Sequence, residues 1–330
     1  MMNEAIMRFT EQFDWQPHVE NATHFNTYKN YIVCGMGGSA LAPWLIKYYG
    51  AQSGSLMFHR EYGLPIIAED ALKESLIILS SYSGDTEEVL DSAREAIERG
   101  FSIAMLTKGG RLLKLAQDHN LPYVLIPDMG LEPRMAIGLS MLGIARLMQN
   151  IELEDSIRAA GKTIDPAASR DEGQRIAEKL RSKIPLIYSS AANLPLAYIW
   201  KIKCNESAKI PAFYNAFPEL CHNELSGFDI TDSTRALSAN IHAIFLEDDT
   251  DHPRIQKRMQ IASQIFGEKG VPVEHVNLLG EASSVGRLGF EKAFYTALLA
   301  DWVSLELAQY YHVPDAETPL IADFKRRMAE

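Results

Sequence analysis

The chain has 330 residues, enough for two domains of ordinary size, and 47% of them are hydrophobic, a fraction with which each half can bury a core. The formal net charge of −11 argues against a nucleic-acid partner, because phosphate backbones need clustered Lys and Arg. We predict a cytoplasmic protein without a membrane partner. The three cysteines are widely separated, the start does not resemble a leader, and no apolar run is long enough for a bilayer.

Strand-like runs alternate with helical patterns, which predicts an α/β fold with parallel sheets. In the first half the predicted elements are a helix at 86–99 and strands at 31–34, 55–58, 76–79, 101–106 and 122–126. The stretch 134–182 is helical and ends in charged residues, so a domain boundary falls near 150–165. The second half is predicted to have a long helix at 286–311 and strands at 184–188, 211–214, 241–246 and 271–276. We therefore predict two domains of similar architecture, 1–150 and 151–330.

Two loops of the first half have the composition of phosphate-binding loops. One covers residues 35–40 and the other residues 80–86, and each follows a short apolar run. A loop that leaves a strand and opens a helix presents free N–H groups and the positive end of the helix dipole. Two such loops in one sheet can hold two parts of one anionic ligand, which indicates a small phosphorylated metabolite.

The first loop has two other interpretations. Gly35 to Ala40 also satisfies G-x-G-x-x-A, the dinucleotide fingerprint. NAD binding needs an acidic residue about 20 positions later, at the end of the second strand. That strand ends at Phe58-His59-Arg60, and Glu61 comes late, so only an NADP site through Arg60 remains open. A tight turn without a ligand is the other alternative.

The second loop can hold a phosphate or begin a helix. Ser81, Ser83 and Thr86 could surround a phosphate with hydroxyl and backbone N–H groups. Thr86 or Asp85 could instead cap the helix that follows. Four hydroxyl-bearing residues within six positions exceed what a cap requires, which favours binding.

The second half carries candidate acid–base residues. Glu206 lies near a predicted helix end and His222 in the next loop, and a carboxylate and a histidine on separate elements can act as base and proton shuttle. The alternatives are a solvated helix face, with Glu206 paired to Lys203 and Lys209, and an ordinary loop histidine.

A zinc site is a further alternative for this half. It would use Cys204, Cys221 and His222, together with Glu206 or Glu224. The spacing has neither C-x-x-C nor H-x-x-x-H, so we predict no metal.

These motifs together resemble a known family. Residues 35–39 and 81–88 look like the two signature loops of the sugar isomerase (SIS) fold. Residues 205–209, 211–213 and 217–224 are similar to the second lobe of bifunctional phosphoglucose/phosphomannose isomerases, as are Asp301-x-x-Ser304 and Phe324-Lys325. The resemblance covers nearly the whole chain. It implies two SIS-type lobes, each a three-layer α/β/α sandwich, and a homodimer.

The same resemblance implies an activity. It is the interconversion of glucose 6-phosphate, and of mannose 6-phosphate, with fructose 6-phosphate through a cis-enediolate, as in glycolysis and gluconeogenesis. The implied substrates are sugar phosphates, and the resemblance implies no cofactor.

The resemblance also assigns roles to single residues. The phosphate is held by Ser81, Ser83 and Thr86, and the sugar is lined by Gly37, Gly38 and Ser39. Arg134 stabilises the enediolate, Glu206 moves the proton between C1 and C2, and His222 of a partner subunit helps to open the ring. Lys325 assists from the terminal helix, and Thr318 leaves room for the mannose configuration.

The sequence departs from the family pattern in three places. Asp85 stands where Asn is usual, Cys221 replaces an Asn, and residues 313–317 read Val-Pro-Asp-Ala-Glu instead of the usual Asp-Pro-Thr. Two other functions are weighed: a non-catalytic phosphosugar-binding regulator and an NADP-dependent reductase. A regulator needs no base, so the presence of Glu206, Arg134 and His222 argues against it.

Overall fold

A computed structural model describes residues 2–22, 25–50, 55–278 and 289–328. The chain forms two compact units. The first unit is Arg8–Ile164, and the second joins the N-terminal residues through Met7 to the chain from Asp165 onward. The division follows Ile164 and not residue 150, because the helix that starts at Ile151 packs on elements of the first unit.

The first unit is built around a parallel sheet. After a short helix of the second unit, α1 (Met2–Met7), and a 3₁₀ turn at Phe9–Asp14, its elements are β1 (Asn30–Cys34), α2 (Leu41–Tyr49), β2 (Ser55–His59), α3 (Glu69–Lys73), β3 (Ser75–Ser81), α4 (Glu87–Glu98), β4 (Ile103–Thr107), α5 (Gly110–Asp118), β5 (Tyr123–Leu125), α6 (Ile137–Leu147) and α7 (Ile151–Thr163). The strand order is β2-β1-β3-β4-β5, and each neighbouring pair is parallel. Every residue of β3 is buried, as expected for a central strand covered on both faces.

The second unit repeats this plan. Its further elements are α8 (Arg170–Leu180), β6 (Ile184–Ser190), α9 (Leu194–Glu206), β7 (Phe213–Phe217), α10 (Arg235–Ser238), β8 (Ile241–Glu247), α11 (Pro253–Glu268), β9 (Val273–Asn277), α12 (Phe290–Tyr310) and α13 (Pro319–Met328). The order β7-β6-β8-β9 is again parallel and matches that of β2-β1-β3-β4. Two parallel α/β units with one strand order confirm the predicted fold class.

The strands agree with the predictions to within a few residues, and the helix predicted at 86–99 is α4. The stretch 134–182, predicted to be helical, forms the three helices α6, α7 and α8. The first break is at Gln149, whose φ is +52°, and Asn150, whose side chain accepts a hydrogen bond from Leu153 N at 2.9 Å and so starts α7. The predicted helix at 286–311 is α12 where it is described, and 286–288 lie outside the described residues. Among the described helices, none is both long and apolar enough to cross a membrane.

Candidate active site

The glycine loop after β1 packs directly on the backbone that carries Arg134. A Cβ added to Gly38 would lie 2.8 Å from the carbonyl carbon of Pro133 and 2.9 Å from the amide nitrogen of Arg134. A side chain does not fit there, so glycine is required for this close approach. The structure thus places Gly38 of the first loop against the backbone of Pro133 and Arg134.

The second loop is bonded to the first through a backbone amide, and its own hydroxyl groups bond within the loop. Ser39 Oγ accepts from the amide of Tyr82 at 3.0 Å, which ties the two loops together. Ser81 Oγ lies 2.8 Å from Thr86 Oγ1 and accepts from Gly84 N at 3.0 Å. Thr86 occupies the N-cap position of α4, yet its side chain makes no cap hydrogen bond. The hydroxyls therefore face one another inside the loop, and capping does not account for them.

A neighbouring segment supplies a positive charge that the second loop itself lacks. Arg111 Nε lies 3.0 Å from Asp85 Oδ1, and the amide of Arg111 donates to the same oxygen at 3.2 Å. The two segments meet closely, since a Cβ on Gly84 would lie 1.8 Å from the carbonyl oxygen of Gly109. Arg111 thus balances the extra carboxylate of Asp85. Sequence reasoning missed Arg111, because only the fold brings α5 to this loop.

Arg134 is nearly completely buried, with 1% of its surface exposed. Its Nη1 lies 3.8 Å from a carboxylate oxygen of Glu132, which is itself 40% exposed. A buried guanidinium keeps five fixed donors and its charge in a low-dielectric setting, where it acts strongly on a developing anion. On its C-terminal side the Arg134 segment is bonded to the buried side chain of Gln12. More than 120 positions separate these residues, and no sequence signal connects them.

Glu206 is the last residue of α9 and is half-buried. One turn earlier, Lys203 Nζ lies 2.5 Å from Asp301 Oδ1 of α12, and both side chains are almost fully buried. Breaking such a buried pair costs about 3–5 kcal/mol, so this ion pair holds the end of α9 firmly on α12. Glu206 therefore projects from a rigid helix end.

Lys209 joins this helix end to the segment that contains Thr318. Its ammonium group donates to the backbone carbonyl of Glu206 and, at 2.5 Å, to the carbonyl of Glu317. The carbonyl of Thr318 accepts from Ala322 N at 3.0 Å and begins α13. Thr318 is thereby brought to the end of α9. Lys325 lies on α13 and is exposed.

His222 lies exposed in a short turn at Glu219–His222. The loop is anchored by Glu224, whose carboxylate accepts hydrogen bonds from Tyr188 Oη and Asn215 Nδ2. Burial, and then the hydrogen bond to Glu224, raise the pKa of Tyr188, so the phenol stays protonated and donates. His222 therefore lies at the surface of the second unit, in a loop that the hydrogen bonds of Glu224 hold in place.

Two alternatives from the sequence find no support in this geometry. For the zinc site, no group of three or more His, Cys, Asp or Glu side chains that could hold a metal ion occurs among the described residues. The guanidinium of Arg60 lies over the ring of Trp44, 4.8 Å from its centroid, and against Phe58. Arg60 therefore packs on aromatic side chains in the structure, and the geometry gives no reason to assign it a 2′-phosphate.

The two parallel α/β units, in which four strands share one order, have the fold of SIS proteins. A family model described as "Bacterial phospho-glucose isomerase C-terminal SIS domain" matches residues 169–328. A solved structure of a hypothetical protein from Thermus thermophilus superimposes with a TM-score of 0.67 and 15% identity, over 99% of this chain and 87% of that one.

Curated relatives are similar over nearly the whole length. The bifunctional phosphoglucose/phosphomannose isomerase of Aquifex aeolicus is 30% identical over 317 residues, 93% of this chain and 92% of its own. That of Thermoplasma acidophilum is 30% identical over 335 residues, 100% of both chains. The chain belongs to the family of bifunctional phosphoglucose/phosphomannose isomerases, and it is an isomerase.

Proposed function

We propose that this isomerase interconverts glucose 6-phosphate and fructose 6-phosphate, and also mannose 6-phosphate, through a cis-enediolate and without a metal ion or nucleotide. The observation that supports this most is the linked loop pair beside a buried cation: Ser39 bonded to the Tyr82 amide, Ser81 to Thr86, and Gly38 against Arg134. The pair offers hydrogen bonds for a sugar phosphate and a charge for an enediolate. Its relatives from Aquifex aeolicus and Thermoplasma acidophilum are named phosphoglucose/phosphomannose isomerases, which is the activity proposed.

In this proposal the phosphate group is bound by Ser81, Ser83 and Thr86. These residues run from the end of β3 to the N-cap of α4, where N–H groups and the helix dipole favour an anion. Arg111 offsets the charge of Asp85, so the phosphate meets no uncompensated carboxylate in the loop. Phosphate binding, remote from C1 and C2, supplies the energy that orients the reacting carbons.

The sugar is lined by Gly37, Gly38 and Ser39, and the ring must open before C2 can react. We assign ring opening to His222 of a partner subunit, with Lys325 assisting. An imidazole exchanges protons readily near neutral pH, as the transfer between the ring oxygen and the O1 hydroxyl requires.

Glu206 then takes the proton from C2. The C2–H electron pair forms the C1=C2 double bond, and O1 takes up the negative charge of the enediolate. Return of the proton to C1 and transfer of the O2–H proton to O1 give the ketose. One carboxylate suffices for both steps. Arg134 stabilises the anion by about 2.7–4 kcal/mol, the loss seen on removing an oxyanion donor.

Mannose 6-phosphate differs from glucose 6-phosphate in its configuration at C2, so both epimers pass through the same enediolate. Thr318, held near the end of α9 through the bonds of Lys209, is assigned the role of leaving room for either epimer. We place this activity in the cytoplasm, in a homodimer that serves glycolysis and gluconeogenesis.

A coupled assay of the purified protein with each aldose phosphate, with and without EDTA, tests the proposal. We expect turnover of both substrates and no effect of EDTA. Turnover that EDTA abolishes and a divalent ion restores would contradict the metal-free mechanism. Binding of both phosphosugars without turnover of either would leave a regulator as the function.

A further inference from the structure

The side-chain amide of Gln12 forms hydrogen bonds, through both its nitrogen and its oxygen, to the segment that follows Arg134. It lies in the turn Phe9–Asp14 and is 0% exposed. Its Nε2 donates to Met135 O at 3.0 Å, and its Oε1 accepts from Gly138 N at 3.1 Å and Leu139 N at 3.3 Å. Both ends of one side chain thus hold a single short segment.

The bonded groups are ones that α6 cannot satisfy alone. The first N–H groups of a helix have no partner within the helix, and a side chain at the N-cap position normally accepts from them. Here the N-cap residue is Ala136, which has no acceptor and makes no side-chain cap bond. Gln12 replaces the missing cap from a distant part of the chain.

The Arg134 backbone is held from two sides. Gly38 closes on Pro133 and Arg134, as described above. On the other side, a Cβ added to Gly138 would lie 2.8 Å from the ring of Phe13, next to Gln12. Because closely packed segments have little room to shift, the buried guanidinium of Arg134 starts from a fixed backbone.

We infer that Gln12 is a positioning residue for the isomerisation: it fixes Arg134 where the negative charge develops. This inference rests on the proposed function, in which Arg134 stabilises the enediolate. A cation that is held in place before reaction is effective, and a displacement near 1 Å can cost about 10²-fold in rate.

The test compares Gln12→Met, Gln12→Glu and the control Gln149→Met. Met keeps the length of Gln and removes the bonds. Gln149 bonds backbone carbonyls beyond the other end of α6 and is exposed, so its change removes similar bonds away from Arg134. We expect Gln12→Met to lower kcat by roughly 10–100-fold with KM within about twofold, and to weaken binding of a hydroxamate that mimics the enediolate. Gln149→Met should keep wild-type kcat.

Gln12→Glu gives a second measurement, with kcat taken per folded protein at each pH so that a change in stability does not enter. A protonated carboxyl presents the same donor and acceptor as the amide, so kcat relative to wild type should rise as the pH falls. A ratio that does not change with pH would contradict the assignment.

A double variant separates the two hypotheses. If Gln12 acts through Arg134, adding Gln12→Met to Arg134→Ala lowers kcat by no more than about twofold further. A full second loss, or wild-type kcat in Gln12→Met, would overturn the inference alone. Wild-type kcat in Arg134→Ala would overturn the role of Arg134 in the proposed function, and the positioning role with it.

Discussion

At the scale of single residues, the hydroxyl-bearing side chains of the second loop allow a direct test of phosphate recognition. Replacing Ser81, Ser83 or Thr86 with Ala should weaken binding of sugar phosphates far more than binding of the free sugar. Each lost hydrogen bond to the charged phosphate should cost about 1.5–3 kcal/mol. Calorimetric titration with fructose 6-phosphate and with fructose measures the difference.

Ser92→Ala is the matched control for these variants. Ser92 is buried in α4 of the same unit, and its hydroxyl bonds backbone carbonyls of Gly63 and Glu88. Its loss should leave phosphosugar binding unchanged. Equal weakening of both ligands in the loop variants would mean that the loop supports a helix and binds no phosphate.

The pair of Asp85 and Arg111 should tune the affinity for phosphate. Both side chains are exposed, so the pair itself contributes little to folding. Arg111→Ala would leave the Asp85 carboxylate beside a phosphate dianion, a repulsion of about 1 kcal/mol and hence about fivefold in KM. The double variant with Asp85→Asn should return KM to the level of Asp85→Asn alone. A KM for Arg111→Ala equal to wild type would show that the pair does not sense the phosphate.

Among the elements, the loop after β7 depends on the bonds between Tyr188, Asn215 and Glu224. Tyr188→Phe keeps the aromatic packing and removes one bond to the half-buried carboxylate of Glu224, which should cost about 1–3 kcal/mol of stability. Because that loop carries His222, kcat/KM should fall as well. Thermal unfolding and steady-state kinetics measure the two effects.

Tyr295→Phe is the control for this loop. Tyr295 is buried in α12 of the same unit and donates to Glu172 Oε2 at 2.8 Å, so it loses the same kind of bond. It should lower stability and keep wild-type kcat/KM. If both variants reduce activity alike, the loop bonds have no specific part in catalysis.

The same elements show what sequence can and cannot predict. Apolar runs such as residues 76–79 identify β3, because a central parallel strand must be buried on both faces. The strand predicted at 211–214 lies instead at Phe213–Phe217. Pro211 has no N–H for a sheet ladder, so pairing starts after it. The candidate site residues were predicted from motifs, which indicate the chemistry of a side chain but not its distance from the others.

Contacts between residues far apart in the chain could not be predicted from the sequence. Neither Gln12 nor Arg111 belongs to a recognisable motif. The fold nevertheless brings Gln12 to the Arg134 segment and Arg111 to Asp85. The capping alternative for Thr86 has a different, local reason for failing. The Thr86 hydroxyl bonds Ser81, five positions earlier in the same loop, and makes no cap bond to its own helix.

At the scale of the whole molecule, the proposed borrowing of His222 predicts that activity needs a dimer. Mixing inactive Glu206→Gln with inactive His222→Ala should restore part of the activity. In a mixed dimer one site receives both defects and the other receives neither. If subunits demonstrably exchange and no activity returns, His222 acts in its own subunit or not at all.

The central claim is that Glu206 carries a proton between C2 and C1. Nuclear magnetic resonance of fructose 6-phosphate with the enzyme in D₂O tests it most directly, because a proton held by a carboxylate exchanges with solvent. We predict deuterium at C2 of the aldose product with wild-type protein. Glu206→Gln should give neither isomerisation nor exchange, with phosphosugar binding nearly unchanged. Turnover without any deuterium, or near-wild-type turnover by Glu206→Gln, would contradict the account.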